Sequence, residues 1–168
     1  MLVRLALHAM GTRFELVLEG DGDGPAAEAH LRAVGEEALA EVEQIDARLS
    51  LFRRDSLLSH IRRHAATQPV KVDPDTFALF ELCRDVCEAT GGAFDPTVAP
   101  LMRAYGLHGE ETCSPQLSLQ DARTRVGWKR RVGLLTSPCR VVFHAPGTAI
   151  DLGGVAKGHA LDLAAEVL

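Results

Sequence analysis

The residues best suited to chemistry lie close together near the end of the sequence, in segment 151–158 (DLGGVAKG). Asp151 is followed by the glycine pair Gly153 and Gly154, and the residues after them have helical character. Glycine lets the backbone turn tightly and approach a ligand closely. The free N–H groups at the start of a helix attract phosphate, and Lys157 adds a mobile positive charge. The segment therefore predicts a phosphate-binding turn, in which Asp151 accepts hydrogen bonds from the ligand or helps a cation to neutralise it.

An ordinary strand–turn–helix connection would use the same residues. In that interpretation Asp151 is a local cap and Lys157 is solvated. A glycine-rich turn carries little weight without its structural context, and the spacing here fits neither a Walker A loop nor the G-x-G-x-x-G dinucleotide fingerprint. From the spacing alone, both interpretations stay open.

Three further segments accompany this turn. They are Met10-Gly11-Thr12, segment 50–59 (SLFRRDSLLS) and segment 90–101 (TGGAFDPTVAPL). Together with 151–158, and in this order, they resemble the ApbE family, the FAD:protein FMN transferases. The resemblance spans nearly the whole chain, and GGAFDPTVAPL and DLGGVAKG are its specific parts. Relatives usually carry Tyr where Phe52 stands; Phe52 can still stack on a ring but cannot donate a hydroxyl hydrogen bond.

The resemblance implies transfer of FMN from FAD to a Thr or Ser hydroxyl of a target flavoprotein, with release of AMP. Attack of an alcohol on a pyrophosphate phosphorus depends on alignment and charge neutralisation, and Mg²⁺ would bridge the phosphate oxygens. No catalytic side chain is assigned. The backbone carbonyl of Gly154 corresponds to a metal ligand. The positions that correspond to FAD contacts are Met10, Phe52, Ala93, Phe94, Asp95, Asp151 and Lys157.

Two of these positions also have a structural interpretation. On physical grounds alone, Met10 is better explained as a residue that fills gaps in the core, whereas the resemblance implies that it lies over the flavin nucleotide. Asp95 followed by Pro96 is typical of a helix start, with Asp95 as N-cap and Pro96 at the first helical position.

The family's side-chain metal ligands, an Asp and a Thr or Ser, come from a later segment than any in this sequence. We therefore expect a C-terminally truncated member with a weak metal site, and little or no FMN transfer by the isolated chain. A partner chain or a second copy could complete the site. The alternatives are a non-catalytic FAD-binding module or a relative of the FAD pyrophosphatase type.

Bulk properties exclude some classes of function. The net charge of −5 argues against a broad nucleic-acid interface. No apolar run is long enough to span a bilayer. Residues 1–8 are too short and too interrupted for a signal peptide. Because many relatives are exported lipoproteins, the sequence predicts either a cytoplasmic form or a form whose leader has been removed.

The four cysteines do not suggest a disulfide framework. Cys83 and Cys87 would share a helix face and could form half of a metal site, but no suitably spaced ligand completes it. Buried thiols are the favoured interpretation of this pair. Cys113 and Cys139 complete the set.

The order of the predicted strands and helices, which must position these residues, indicates one α+β domain over residues 1–168. Strands precede a group of helices and further strands follow, which favours a largely antiparallel sheet over a doubly wound one. The resemblance implies the same class: an ApbE-like, T-fold-related sheet packed with helices, incomplete at the C-terminus. We predict strands at 2–7, 13–18, 68–72, 131–135, 140–143 and 148–152, with a turn or bulge at Gly11 between the first two and a loop at 109–115. Helices are predicted at 26–49, from Ser56, from Asp73, from Asp95 to about Tyr105, at 117–126 and at 155–168. Ser56 and Asp73 are the expected N-caps of their helices, and the glycine pair 91–92 is expected to end the helix that begins at Asp73.

Overall fold

The computed structural model describes residues 1–107 and 117–168. The predicted loop at 109–115 and Cys113 lie outside the described residues. The α+β class is confirmed. The elements in chain order are β1 (Leu2–Ala9), β2 (Thr12–Glu19), α1 (Pro25–Leu49), α2 (Leu57–His64), β3 (Val70–Lys71), α3 (Pro74–Ala89), a 3-10 turn (Pro96–Val98), α4 (Ala99–Ala104), α5 (Leu119–Thr124), α6 (Trp128–Arg131), β4 (Val132–Thr136), β5 (Cys139–Phe143) and α7 (Ala156–Val167).

The strands are antiparallel, as expected, and they form two small sheets. One is the β1–β2 hairpin, and the other has the order β3-β5-β4. The hairpin is tightly closed, since Ala9 pairs with Thr12 and leaves only Met10 and Gly11 between the strands. Both residues have positive φ, 50° for Met10 and 68° for Gly11. A side-chain-bearing residue is uncommon in this region, so the turn holds Met10 under local strain.

Helix α1 packs along the β1–β2 hairpin and α7. Its apolar stripe buries Ala38, Val42, Ile45 and Leu49. Close approach to the hairpin depends on Gly35, because a Cβ atom there would lie 2.5 Å from Leu5 Cδ1. The packing brings the C-terminal end of α1 next to the N-terminal end of α7, where the candidate functional residues lie.

Helix α3 carries the aromatic part of the core. Phe80 is fully buried, and its ring centroid lies 6.4 Å from that of Trp128. Cys83 and Cys87 are also buried and free, as expected. Burial, together with the neighbouring Cys87, raises the pKa of the Cys83 thiol to about 12, so this thiol stays protonated at neutral pH.

Three features differ from the sequence-based expectation. Residues 148–152 form no strand, although all of them except the partly buried Asp151 are buried. The Asp151 N–H donates to the carbonyl of Pro96 (2.7 Å) rather than into a sheet. The helix expected from Asp95 is split into a 3-10 turn and α4. Pro100 has no N–H to continue a helix begun at Pro96. The short helix α6 had no counterpart in the prediction.

The predicted cap at Asp73 is present, and it ties α3 to α1. Asp73 Oδ1 accepts from the Thr76 N–H (2.9 Å), while Oδ2 accepts from Arg48 (2.6 Å). Burial raises the pKa of this carboxyl, but the hydrogen bonds from Thr76 and Arg48 outweigh it and hold the pKa below its usual value. The folded state therefore binds this proton less readily than the unfolded state. The resulting stability is present above about pH 4 and is lost as the pH falls through the folded pKa.

We expect Asp73→Ala to lower the free energy of unfolding by about 1 kcal/mol at pH 7, because the N-cap is lost. The difference from the wild type should shrink below about pH 4. Urea unfolding at pH 7 and pH 3 measures both effects. Asp75→Ala, in the same helical turn but without a cap bond, is the matched control; a pH-independent difference for Asp73→Ala would contradict the assignment.

Within residues 1–107 and 117–168, no helix combines the length and apolar character needed to cross a membrane.

Candidate functional site

A groove of about 360 Å³ lies between the end of α1, the β1–β2 turn and the start of α7. We call it the α1–α7 groove. Four of the predicted site residues line it: Met10, Phe52, Asp151 and Lys157. The remaining lining residues are Gly11, Asp46, Leu49, Ser50, Leu51, Leu152, Gly153 and Ala156.

One end of the groove is apolar and aromatic. Phe52 follows α1, and its side chain is 61% exposed, which leaves much of the ring accessible for stacking. The turn that holds it is fixed by Ser50, whose Oγ accepts from the N–H groups of Phe52 (3.2 Å) and Arg53 (3.3 Å). Met10 is partly buried, packs against the core and also lines the groove. Its packing agrees with the core interpretation of Met10, and a contact between Met10 and FAD stays a prediction.

The other end is the glycine-rich loop. Asp151 Oδ1 accepts from the Gly153 N–H at 2.8 Å, and Lys157 Nζ donates to the Gly153 carbonyl at 3.3 Å. Neither Gly153 nor Gly154 has φ in the left-handed region. The absence of a side chain matters here for close approach: a Cβ atom on Gly153 would lie 3.0 Å from Asp151 Oδ1.

Helix α7 begins inside this loop without a side-chain cap. The Val155 and Ala156 N–H groups donate to the Leu152 carbonyl, at 2.9 and 2.7 Å. Within the described chain we find no acceptor for the N–H groups of Lys157 and Gly158, which are the next in the first turn. Such N–H groups, at the positive end of a helix dipole and beside an exposed lysine, can bind an anion.

Segment 90–97 lies against this loop rather than in the groove itself. Gly91 and Gly92 have φ of 60° and 86° and end α3, as expected. Ala93 is exposed. The Phe94 ring lies next to Gly154, since a Cβ atom there would be 3.3 Å from Phe94 Cε2. The structure thus brings Phe94 and Gly154 together beside the groove, and neither these residues nor Ala93 belong to its walls.

Asp95 has an internal role in this arrangement. Its Oδ1 accepts from the N–H (2.8 Å) and hydroxyl (2.6 Å) of Thr97, and its Oδ2 accepts from the Trp128 N–H (3.2 Å). The predicted N-cap is therefore present. Both carboxylate oxygens already accept hydrogen bonds within the protein. A contact between Asp95 and a nucleotide stays a prediction.

One backbone hydrogen bond joins this cap to the glycine loop. The Pro96 carbonyl would normally accept from the residue four positions later, but that residue is Pro100, which has no N–H. The carbonyl instead accepts from the Asp151 N–H at 2.7 Å. Because Pro100 cannot donate, the Pro96 carbonyl is available to accept the hydrogen bond that fixes the backbone of Asp151.

Asp46 is the charged groove residue that the sequence analysis missed. It lies in the last turn of α1, one helical turn before Ser50. Its position four residues before the start of segment 50–59 was the available signal, because residues four apart share a helix face.

The described residues contain no group of three or more His, Cys, Asp or Glu side chains that could hold a metal ion. The predicted magnesium ligand, the Gly154 carbonyl, is a single backbone donor, and Asp151 already accepts a hydrogen bond from Gly153. Mg²⁺ prefers octahedral oxygen coordination that includes protein carboxylates. These residues do not by themselves form a magnesium site.

Comparison with known proteins gives a consistent result. The family model described as "ApbE family" matches residues 10–168. An FAD:protein FMN transferase from Treponema pallidum is 32% identical over 149 residues, covering 86% of this chain and 41% of the relative. One from Haemophilus influenzae is 24% identical over 172 residues, covering 99% of this chain and 49% of the relative.

Solved structures agree in fold. An ApbE protein from Thermotoga maritima superposes with a TM-score of 0.83 at 29% identity, covering 99% of this chain and 52% of that one. The flavin transferase ApbE from Vibrio cholerae gives a TM-score of 0.81 at 22% identity with the same coverage, 99% and 52%, and shows likeness of fold alone. The chain spans 41–52% of the length of these four proteins.

Proposed function

The chain belongs to the ApbE family, and from this premise we propose that it binds FAD in the α1–α7 groove as part of an FAD:protein FMN transferase. The observation that carries the proposal is that one groove combines an aromatic and apolar set of side chains with charged residues beside a helix start. Phe52 and Met10 belong to the first set, and Asp151 and Lys157 to the second. A flavin nucleotide has the same two parts, a planar ring and a charged pyrophosphate.

Each end of the groove suits one part of FAD. The exposed ring of Phe52 offers a stacking surface for the isoalloxazine, and Met10 adds a polarisable contact. The Lys157 ammonium and the first N–H groups of α7 offer donors to the pyrophosphate. The carboxylate of Asp151 would repel a negatively charged phosphate oxygen. We therefore propose that Asp151 holds the loop and accepts hydrogen bonds from neutral donors of the nucleotide.

The proposed reaction breaks the phosphoanhydride bond of FAD. The hydroxyl oxygen of a Thr or Ser on the target flavoprotein bonds to the phosphorus of the FMN half, the hydroxyl proton is released, and AMP leaves. In this step Lys157 and the α7 N–H groups neutralise charge on the phosphates, while the aromatic end keeps the FMN half in place. Alignment and charge stabilisation of this kind are the main needs of such a transfer.

Magnesium dependence is part of the proposal, with the Gly154 carbonyl as one ligand. A bound Mg²⁺ would supply further charge neutralisation at the pyrophosphate. Since the described residues do not form a complete site, the Gly154 carbonyl would be only one of the ligands that the ion needs.

We expect the chain to bind FAD at least about tenfold more tightly than riboflavin, with FMN between them. Phosphate contacts at Lys157 and α7 are charge-assisted, and such hydrogen bonds contribute about 1.5–3 kcal/mol. Isothermal titration calorimetry with the three flavins measures the order of affinities. Equal affinity for riboflavin and FAD would contradict a phosphate-binding role of the loop. It would favour the interpretation of 151–158 as a plain strand–turn–helix connection.

Transfer is measured by incubating the protein with FAD, Mg²⁺ and an acceptor flavoprotein domain, followed by in-gel flavin fluorescence after denaturation. We compare the 168-residue chain with a longer protein that contains it and has the family's full length. A fluorescent acceptor band that disappears with an acceptor Thr→Ala or Ser→Ala variant supports the proposal. No band from either protein contradicts it.

A further inference from the structure

Asp46 is a charged residue of the α1–α7 groove with no assigned role. It lines the groove together with Ser50, Phe52 and Met10. Its side chain is neither fully buried nor fully exposed. Asp46 therefore belongs to the α1 side of the groove, which also carries Phe52, the residue that the proposed function places against the flavin ring.

The Asp46 carboxylate makes no hydrogen bond or ion pair with the residues that the structure describes. Arg53 is near enough for an electrostatic interaction. However, its guanidinium donates to the carboxylate of Asp55, at 3.4 and 3.3 Å. Asp46 thus keeps both oxygens as acceptors at the wall of the groove.

The position is also unfavourable for α1 itself. Asp46 lies in the last turn of a helix that ends at Leu49. A negative charge at a helix C-terminus opposes the helix dipole, and a basic residue such as the neighbouring Arg48 suits this turn better. A residue that breaks a local preference and has no hydrogen-bond partner among the described residues is best explained by a contact with a ligand.

We propose that Asp46 binds the flavin by accepting a hydrogen bond from a neutral donor at the ring end of FAD. This inference rests on the proposed function. Two donors fit the chemistry: the imide N–H of the isoalloxazine and a hydroxyl of the ribityl chain. A phosphate at this point would be repelled by the carboxylate, so Asp46 and Lys157, which line the same groove, would fix the direction in which the nucleotide lies.

The test compares flavin affinities of Asp46→Ala, Asp46→Asn and Glu43→Ala with the wild type. Glu43 is the matched control, because it is an exposed acidic residue on the same helix that does not line the groove. We expect Asp46→Ala to weaken FAD and riboflavin binding by about 3- to 10-fold. Asp46→Asn should lose less, since its amide oxygen still accepts, and Glu43→Ala should bind as the wild type does.

Two further flavins distinguish the donors. If the imide N–H is the donor, lumiflavin, which lacks the ribityl chain, loses affinity with Asp46→Ala, and 3-methylriboflavin does not. If a ribityl hydroxyl is the donor, the pattern is reversed. Thermal unfolding establishes that each variant is folded. Unchanged affinity of folded Asp46→Ala for FAD and riboflavin overturns this inference alone, whereas failure of the wild type to bind FAD overturns the proposed function with it.

Discussion

Lys157→Glu is expected to weaken FAD binding by about 30- to 150-fold. Loss of a charge-assisted hydrogen bond costs about 1.5–3 kcal/mol, and the introduced carboxylate adds repulsion from the pyrophosphate. The fold should tolerate the change. Lys157 is exposed in the first turn of α7, where a negative side chain favours the helix dipole. Titration of FAD by flavin fluorescence measures the loss, and thermal unfolding establishes that it is a loss of binding alone.

Lys129→Glu is the matched control for this variant. Lys129 is exposed on α6 and does not line the groove, and its substitution changes the net charge by the same amount. We expect FAD affinity close to that of the wild type. Raising the salt concentration should weaken binding to the wild type more than to Lys157→Glu, because salt screens attraction between exposed charges. Equal losses in Lys129→Glu and Lys157→Glu would mean that only overall charge matters.

Features that depend on a few neighbouring residues could be predicted from the sequence. The caps at Ser56 and Asp73 are examples, because each side chain accepts from a backbone N–H three residues later. The turn at Gly11 and the glycine end of α3 follow from the same local rules. Four of the predicted site residues meet in one groove, which supports an interpretation drawn from separate segments.

Features that depend on distant partners could not be predicted in this way. Residues 148–152 are apolar enough for a strand, yet the Asp151 N–H bonds to Pro96, far away in the sequence. Nothing local to Asp151 indicates that acceptor. Asp46 is another case. The sequence of α1 contains several acidic residues and does not distinguish Asp46 from the others. Only the packing of α1 against α7 places Asp46 on the groove wall.

Asp95 also has a partner far away in the sequence, and its substitution has the largest expected effect on stability. We expect Asp95→Ala to lower the free energy of unfolding by about 3 kcal/mol. The substitution removes the acceptor of three hydrogen bonds, two from Thr97 and one from the Trp128 N–H. Thr97 is fully buried and Trp128 nearly so. Buried donors left without an acceptor cost about 1–3 kcal/mol each, and partial relaxation of the turn reduces their sum. Urea unfolding measures the change.

Ser118→Ala is the control for a cap in an exposed place, since the Ser118 hydroxyl caps α5 by accepting from the Asp121 N–H (3.0 Å). We expect Ser118→Ala to lower the free energy of unfolding by only about 1 kcal/mol.

The cap at Asp95 also fixes the carbonyl of Pro96, which accepts from the Asp151 N–H. Under conditions where Asp95→Ala remains folded, its FAD affinity should therefore fall as well, through displacement of Asp151. Asp95→Asn keeps an acceptor oxygen and should recover part of both losses. Normal stability with reduced FAD affinity in Asp95→Ala would instead mean that this carboxylate contacts the nucleotide directly.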